Sequence, residues 1–183
     1  MSQDLAWEMI NFPNRKIQTG KMIDSYLKSS DTKLCDEAVH LLFSTNRWEM
    51  KQYIHEKISE GTSIIWDRYA YSGIAYSHAK GLDFDWWASP DKGLPRPDLV
   101  LFVNTTASEI IGRSGFGDER YEKEEFQEKV YTSFSKIKEI EPNWNDIEGS
   151  GKDIDQIYSQ IVEKVTDAYE SLTDTDIKDD LFM

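Results

Sequence analysis

Cysteine and long apolar runs are both scarce in this sequence, and each shortage excludes a class of protein. Cys35 is the only cysteine among 183 residues, which excludes an internal disulfide and favours a reducing compartment. No apolar run approaches the roughly 18 residues of a membrane-spanning helix. The opening residues, MSQDLAWEMINF, lack the basic start and apolar core of a secretory signal. We therefore expect a cytoplasmic protein, possible also in a nucleus, without a membrane partner.

Basic residues are also in the minority. The chain has 21 Lys and Arg against 34 Asp and Glu, a net charge of −13. This balance argues against a nucleic-acid-binding surface and predicts no nucleic-acid partner. Hydrophobic residues make up 39% of the chain, enough for one folded domain with a core. The acidic end, residues 172–183, is predicted to be a frayed tail outside a domain of residues 1–171.

Strand patterns alternate with helix patterns along the chain, which predicts an α/β fold with a mainly parallel sheet. The predicted strands are residues 5–10, 63–66, 99–103 and 144–147, of which the second and third are expected to be buried. The predicted helices are residues 17–27, 36–60, 69–79, 107–112, 122–140 and 154–169. Residues 81–97 hold three of the five prolines and are predicted to be a turn-rich connector.

A charged pair, Asp67 and Arg68, directly follows the apolar residues of the second strand. In open α/β sheets, ligands bind beyond the carboxyl ends of the strands. Arg suits a phosphate group, and Asp is a common Mg²⁺ ligand. The pair therefore indicates a phosphorylated ligand with a metal ion. The alternative is an ion pair that joins the loop to the next helix.

Phe43 and Arg47 are spaced i, i+4 on the long second helix, so their side chains share one face. An aromatic ring and a forked donor on one face can stack on a flat ligand and hydrogen-bond its edge, as a pyrimidine base would require. The alternative is that Phe43 belongs to the core and Arg47 forms a surface ion pair with Glu49 or Asp36.

Four stretches match one known protein family in sequence, order and spacing: LLFSTNRWE, DRYAYSGIAYS, GLPRPDLVLF and SGFGDERYE. With them the sequence resembles the thymidylate kinase family, in its eukaryotic and poxvirus-like form, from about Met9 to the last helix. The resemblance implies a P-loop nucleoside monophosphate kinase-like fold, a parallel sheet flanked by helices. It also implies transfer of the ATP γ-phosphoryl group to dTMP, giving dTDP for dTTP biosynthesis, with Mg²⁺ and in a homodimer.

The resemblance implies residue roles by position. Arg15 and Arg68 would clamp the dTMP phosphate, and Asp67 would hold Mg²⁺-bound phosphates; these three are the implied catalytic residues. The implied dTMP-binding residues are Phe12, Phe43, Arg47, Ser72, Gly73, Tyr76, Tyr121 and Glu122. Within this set Phe43 would stack on thymine, Arg47 would bond its edge, and Tyr76 would exclude a 2′-hydroxyl. Arg113 and Arg120 would contact ATP, and residues 148–152 would border the adenine.

The family's P-loop motif, G-x-x-x-x-G-K-[ST], has no match in the sequence. Gly112 and Gly117 have the required spacing, but Asp118 stands where the motif needs Lys. We therefore expect the family's first strand, P-loop and first helix to be missing. Three readings follow. The chain is an incomplete copy of an active enzyme, an inactive nucleotide-binding or dimerising relative, or an enzyme whose donor phosphates are held by Arg113 and Arg120 or by a partner chain. A kinase for dUMP or dCMP is a more distant alternative.

Overall fold

The computed structural model describes residues 6–28, 33–81, 83–105, 109, 124–172 and 177–183. The strands are β1 (Trp7–Asn11), β2 (Ser63–Asp67), β3 (Val100–Asn104) and β4 (Trp144–Glu148). The helices are α1 (Gln18–Lys28), α2 (Asp36–Ser59), α3 (Ala70–His78), α4 (Phe84–Ala88), α5 (Glu124–Ile140) and α6 (Ile154–Ser171), with a 3₁₀ turn at Ser89–Asp91. The chain forms two compact units, Met1–Arg96 with Ile177–Met183, and Pro97–Asp176.

The first unit is built on a parallel pair of strands. β1 runs beside β2 in a register that pairs Trp7 with Ser63 and Asn11 with Asp67. Because parallel strands need a long connection, α1 and α2 lie between them in the chain. α2 packs on α1, β2 and α3 and so forms the centre of the unit. Fully buried apolar side chains of this core are Ile23, Ile54, Ile74, Trp87, Leu94 and Leu181.

The second unit repeats the parallel arrangement with β3 and β4, which pair from Val100 with Trp144 to Asn104 with Glu148. An aromatic group joins the strands to α5: the Phe102 ring lies 5.0 Å from that of Phe134 and 5.2 Å from that of Trp144. Helix α6 begins with a capping box, in which the Asp153 carboxylate accepts from the Gln156 backbone N–H at 2.8 Å. This bond satisfies one of the free donors at the helix start.

The predicted alternation of helices and strands is confirmed in the described residues, outside which the predicted helix 107–112 lies except for residue 109. The predicted burial of two strands is wrong. Ile65 in β2 is 52% exposed and Val103 in β3 is 42% exposed. In the part of the chain that the structure describes, each strand pairs with a single neighbour, as an edge strand does. A continuous apolar run predicts burial on both faces. β2 instead alternates between exposed and half-buried residues, and β3 is half-buried at every position except the exposed Val103.

The predicted connector at residues 81–97 is more regular than its composition indicates. It contains α4 and the 3₁₀ turn, and it is anchored by Trp87 and Leu94, both fully buried. Pro90 lies in the first turn of the 3₁₀ segment, where its missing N–H costs no hydrogen bond. Cys35, a residue type that is often buried in protein cores, is exposed at the start of α2.

Residues 177–183 fold back onto the first unit, so the prediction of a frayed end is wrong for them. The Leu181 side chain is fully buried, and its backbone N–H donates to the Leu94 carbonyl at 3.3 Å. The Arg96 guanidinium donates to the Asp180 carboxylate at 3.0 Å. The predicted domain bounds at residues 171 and 172 stay a prediction. Among the described helices, none combines the length and apolar character needed to cross a membrane.

Candidate functional site

The carboxyl ends of β1 and β2 lie side by side, which brings the segment that carries Arg15 close to Asp67 and Arg68. The Phe12 N–H donates to the Asp67 carbonyl at 2.9 Å, and the Asn11 side-chain amide donates to the Asp67 carboxylate at 2.7 Å. The cluster after β1, which includes Arg15, therefore starts at the same edge as Asp67 and Arg68. This is the position at which α/β proteins bind ligands.

Arg68 adopts the left-handed backbone region, with φ of 63°, which is sparsely populated for residues other than glycine. Its guanidinium group lies 5.8 Å from the centre of the Tyr76 ring, and one of its nitrogens lies 3.5 Å from the Tyr76 hydroxyl. Arg68 directly follows β2, and α3 supplies Tyr76 eight residues further on, about two helical turns. The structure thus places Arg68, which is predicted to bind the phosphate, beside Tyr76, which is predicted to lie at the sugar.

Arg15 is presented by a loop that α1 and α2 hold from two sides. Asn46 of α2 accepts from the Asn14 N–H at 2.7 Å and donates to the Asn14 carbonyl at 3.2 Å. A Cβ at Gly20 would lie 1.8 Å from the Asn14 carbonyl oxygen, so α1 can approach this loop only with glycine there. The Arg15 side chain is 41% exposed and pairs with Asp24 at 2.6 Å.

Hydrogen bonds first from Lys28 and then from Arg15 lower the pKa of Asp24, so its carboxylate stays charged beside Arg15 at neutral pH. Sequence reasoning missed Asn46 and Gly20. A glycine within a helical pattern was an available signal for close packing at Gly20. No local pattern identified Asn46, which is fully buried and acts on a loop 32 residues earlier in the chain.

Arg47 is buried, and its partner is Asp91. The guanidinium NH2 lies 2.5 Å from one carboxylate oxygen of Asp91, and its Nε lies 3.1 Å from the other. The side chains of this pair are 3% and 0% exposed. The alternative of a surface ion pair is wrong, because Asp36 pairs with Lys80 and Glu49 accepts from Thr19.

The predicted base-contacting residues of α3 lie beside this buried pair. A Cβ placed on Gly73 would lie 3.1 Å and 3.2 Å from the two terminal nitrogens of Arg47, so the guanidinium tip rests against that glycine. Ser72 and Tyr76 are half-buried on the same helix, and Phe43 is half-buried on α2. Phe12 is buried and packs on the Tyr69 ring at 5.4 Å, so it belongs to the floor under the site.

His40 has a structural role behind the site. Its Nε2 lies 2.9 Å from the Trp87 carbonyl, which fixes this nitrogen as the donor, and its Nδ1 lies 2.9 Å from the Ser77 hydroxyl. Burial, and then the positive charge of Arg47, lower the pKa of His40 to about 4. The neutral ring therefore links α2, α3 and α4 at physiological pH.

The remaining predicted residues are Arg113, Arg120, Tyr121 and Glu122, which lie outside the described residues. Of the predicted adenine border, the Gly151 N–H and the Ser150 hydroxyl each donate to the Glu109 carboxylate at 2.9 Å. Within the described ranges, no group of three or more His, Cys, Asp or Glu side chains is placed to hold a metal ion.

The fold agrees with what comparison with known proteins shows. A solved structure of thymidylate kinase from Candida albicans superposes with a TM-score of 0.88 at 41% identity, over 94% of this chain and 85% of that chain. The thymidylate kinase of Schizosaccharomyces pombe is 47% identical over 170 residues, which is 91% of this chain and 80% of that protein. The human thymidylate kinase is 42% identical over 170 residues, 91% of this chain and 79% of that protein.

The family model described as thymidylate kinase matches residues 1–161, which include every residue of the site described above. The chain therefore belongs to the thymidylate kinase family.

Proposed function

We propose that this chain binds dTMP in its first unit. The bound dTMP would be the phosphoryl acceptor of a thymidylate kinase reaction, which uses ATP to make dTDP. The observation that carries the proposal is the register of β1 and β2, which starts both arginine-bearing segments at one sheet edge. Arg15 and Arg68 would bind the phosphate of dTMP, since guanidinium groups form strong charge-assisted bonds to phosphate oxygens. Positioning and charge stabilisation of this kind supply most of the catalysis in phosphoryl transfer.

The base would lie between Phe43 and Arg47. A guanidinium group has donors only, so it matches the carbonyl oxygens of thymine and not the exocyclic amine of cytosine. The half-buried Phe43 ring offers a face on which a base can stack. Tyr76, held near Arg68, would occupy the space that a ribose 2′-hydroxyl needs, which favours a deoxynucleotide.

Magnesium fits this site as an ion carried by nucleotide phosphates. Asp67 is exposed, and one of its carboxylate oxygens accepts from Asn11. The other oxygen has no hydrogen bond within the described part of the chain, and Mg²⁺ commonly uses one or two carboxylates together with phosphates and water. Bound there, the ion would neutralise charge on the phosphates. Asp67 itself would orient them at the strand end.

The donor side of the proposal rests on residues beyond the described ranges. Arg113 and Arg120 would contact ATP, and Tyr121 and Glu122 would cover dTMP. The sequence has no P-loop motif, so formation of dTDP by the chain separates an active enzyme from an inactive nucleotide-binding relative. The homodimer and the cytoplasmic location stay predictions, and sedimentation and cell fractionation test them.

Calorimetric titration of the purified chain tests the proposed acceptor site. We expect saturable binding of dTMP, with thymidine at least about ten-fold weaker because it lacks the group that the two arginines bind. We also expect dCMP to bind more weakly than dTMP. If thymidine binds as tightly as dTMP, the phosphate assignment to Arg15 and Arg68 is wrong. If dCMP does so, the base assignment to Phe43 and Arg47 is wrong.

A further inference from the structure

We propose that Asp91 is a positioning residue that sets the base selectivity of the site by fixing the orientation of Arg47. The inference rests on the proposed dTMP site. No sequence pattern singled out Asp91, which lies in the 3₁₀ turn of the connector, 44 residues after Arg47. Its carboxylate is fully buried, and it would not touch the nucleotide itself.

The pair fixes the plane of the guanidinium group. Two parallel bonds, from Nε and from NH2 of Arg47, end on the two oxygens of Asp91. Such a forked contact defines both the direction and the rotation of the group, which a single bond cannot do. The Ser44 hydroxyl donates to the same carboxylate at 2.7 Å, so the acceptor is itself held.

The fork also decides which edge of Arg47 remains for a ligand. Nε and one NH2 proton are committed to Asp91, and the tip of the group rests against Gly73 of α3. Of the five donors, the second NH2 proton and the two NH1 protons are left over, and NH1 offers a pair of them. A fixed pair of donors in a dry site recognises a carbonyl edge and penalises an amine, because the unmatched polar groups stay buried.

The segment that carries Asp91 is fixed to the same face of α2 as Arg47. The Trp48 indole N–H donates to the Pro90 carbonyl at 2.7 Å, and the Lys51 ammonium donates to the Gly93 carbonyl at 2.8 Å. Arg47 and Trp48 lie three and four residues after Ser44, and Lys51 lies four and three residues after them. One stripe of α2 therefore holds the turn. The carboxylate therefore has little freedom to follow a rotated arginine.

Loss of Asp91 has a structural consequence that must be separated from selectivity. Removing one partner of a buried pair leaves an uncompensated charge and lowers stability whatever the site binds. A purely structural role would weaken the binding of every nucleotide to the same degree. A positioning role changes the ratio between thymine and cytosine nucleotides, and this ratio is the informative quantity.

The experiment measures dissociation constants for dTMP and dCMP with the full chain and its Asp91→Asn variant. The amide keeps the size of the carboxylate but can accept only one of the two bonds of the fork. We expect dTMP affinity to fall about ten-fold and dCMP affinity to change less, so that the ratio moves towards one. The matched control is Asp180→Asn, which alters the Arg96 pair in the same unit. It should leave the ratio unchanged.

The outcomes separate the two claims. If the unaltered chain binds no dTMP, the proposed function is wrong and this inference falls with it. If the chain binds dTMP and Asp91→Asn keeps the dTMP to dCMP ratio, only the role of Asp91 is wrong. Should the variant not fold, NMR of the unaltered chain decides: the Arg47 Nε–H must stay protected from exchange when dTMP is added. Loss of that protection would overturn the inference.

Discussion

Arg68 has a left-handed backbone conformation, which most residues avoid. A non-glycine residue in the left-handed region costs about 1 kcal/mol or more, and such strain persists where the surrounding structure imposes it. At Arg68 the strain lies directly after the carboxyl end of β2, where the side chain reaches Tyr76. We interpret it as the cost of presenting this guanidinium group at the proposed phosphate site.

Replacing Arg68 by Gly and by Ala separates this strain from the loss of the side chain. Both variants lose the guanidinium group, but only glycine relieves the backbone. We expect Arg68→Gly to be more stable than Arg68→Ala by about 1 kcal/mol in denaturant unfolding, while both lose dTMP affinity. Equal stability of the two variants would show that the backbone at this position relaxes without cost.

His40 gives the first unit a dependence on pH. Its pKa of about 4 in the folded chain lies below the value near 6.5 for an unperturbed histidine, so the unfolded chain binds the proton more tightly. Its contribution to stability is therefore full above about pH 6.5 and is lost as the pH falls towards 4. The loss amounts to about 3 kcal/mol over this range.

NMR titration of the three histidines, with unfolding measured at each pH, checks this expectation. The His40 ring should remain neutral at pH 5, and His40→Gln should remove part of the pH dependence of the free energy of unfolding between pH 6.5 and 4. A His40 ring that titrates near pH 6.5 in the folded protein would contradict the account.

At the residue scale, local patterns identified Phe43, Arg47, Asp67 and Arg68 as candidates, because strand ends and helix faces can be recognised in the sequence. The family resemblance added Arg15. They did not identify the groups that hold these side chains. Asp91 and Asn46 act across 44 and 32 residues, and a contact at that separation has no signature in one sequence.

The element with the least predictable behaviour is the C-terminal segment, residues 177–183. It belongs to the acidic stretch of residues 172–183, a composition that predicted a frayed tail. Asp179, however, pairs with Lys51 of α2 at 2.7 Å. Burial raises the pKa of Asp179, but its hydrogen bonds to Lys51 and His55 outweigh this effect, so the pKa is lowered. The apolar anchor is Leu181, whose burial against the connector adds the stabilisation that charge pairs near the surface lack.

Leu181→Ala should therefore destabilise the first unit by about 2–5 kcal/mol, the usual range for emptying a buried leucine site. Met183→Ala is the matched control, because this side chain is 81% exposed and its loss should change stability by less than about 0.5 kcal/mol. Thermal or urea unfolding gives both values. Equal effects would mean that the segment is not anchored in solution as the structure has it.

Most elements were predictable because periodicity is a local property. The pattern of α2 predicted residues 36–60, and the helix spans Asp36–Ser59. The connector was not predictable in the same way. Its three prolines dominate its composition, while its order comes from the burial of Trp87 and Leu94 against distant residues. The exposure of β2 and β3 was not predicted either. The apolar residues of a strand indicate that it can be buried, but they do not show whether another element covers it.

The whole molecule consists of two units, each with a parallel pair of strands. The residues proposed to bind the phosphate and the base of dTMP all lie in the first unit. That unit supplies Arg15, Arg68, Phe43 and Arg47 from β-strand ends and α2. The donor side depends on residues outside the described ranges. The acceptor claim can therefore be tested by itself, without phosphoryl transfer.

The most direct test is thermal unfolding of the purified 183-residue chain with and without dTMP. A ligand that binds only the folded state stabilises it by about 2.7 kcal/mol at 100 times its Kd, which corresponds to a rise of about 5–10 °C in Tm for a chain of this size. The account predicts a cooperative transition that dTMP shifts by this amount and thymidine shifts much less. A transition that millimolar dTMP leaves unchanged would contradict the proposed acceptor site.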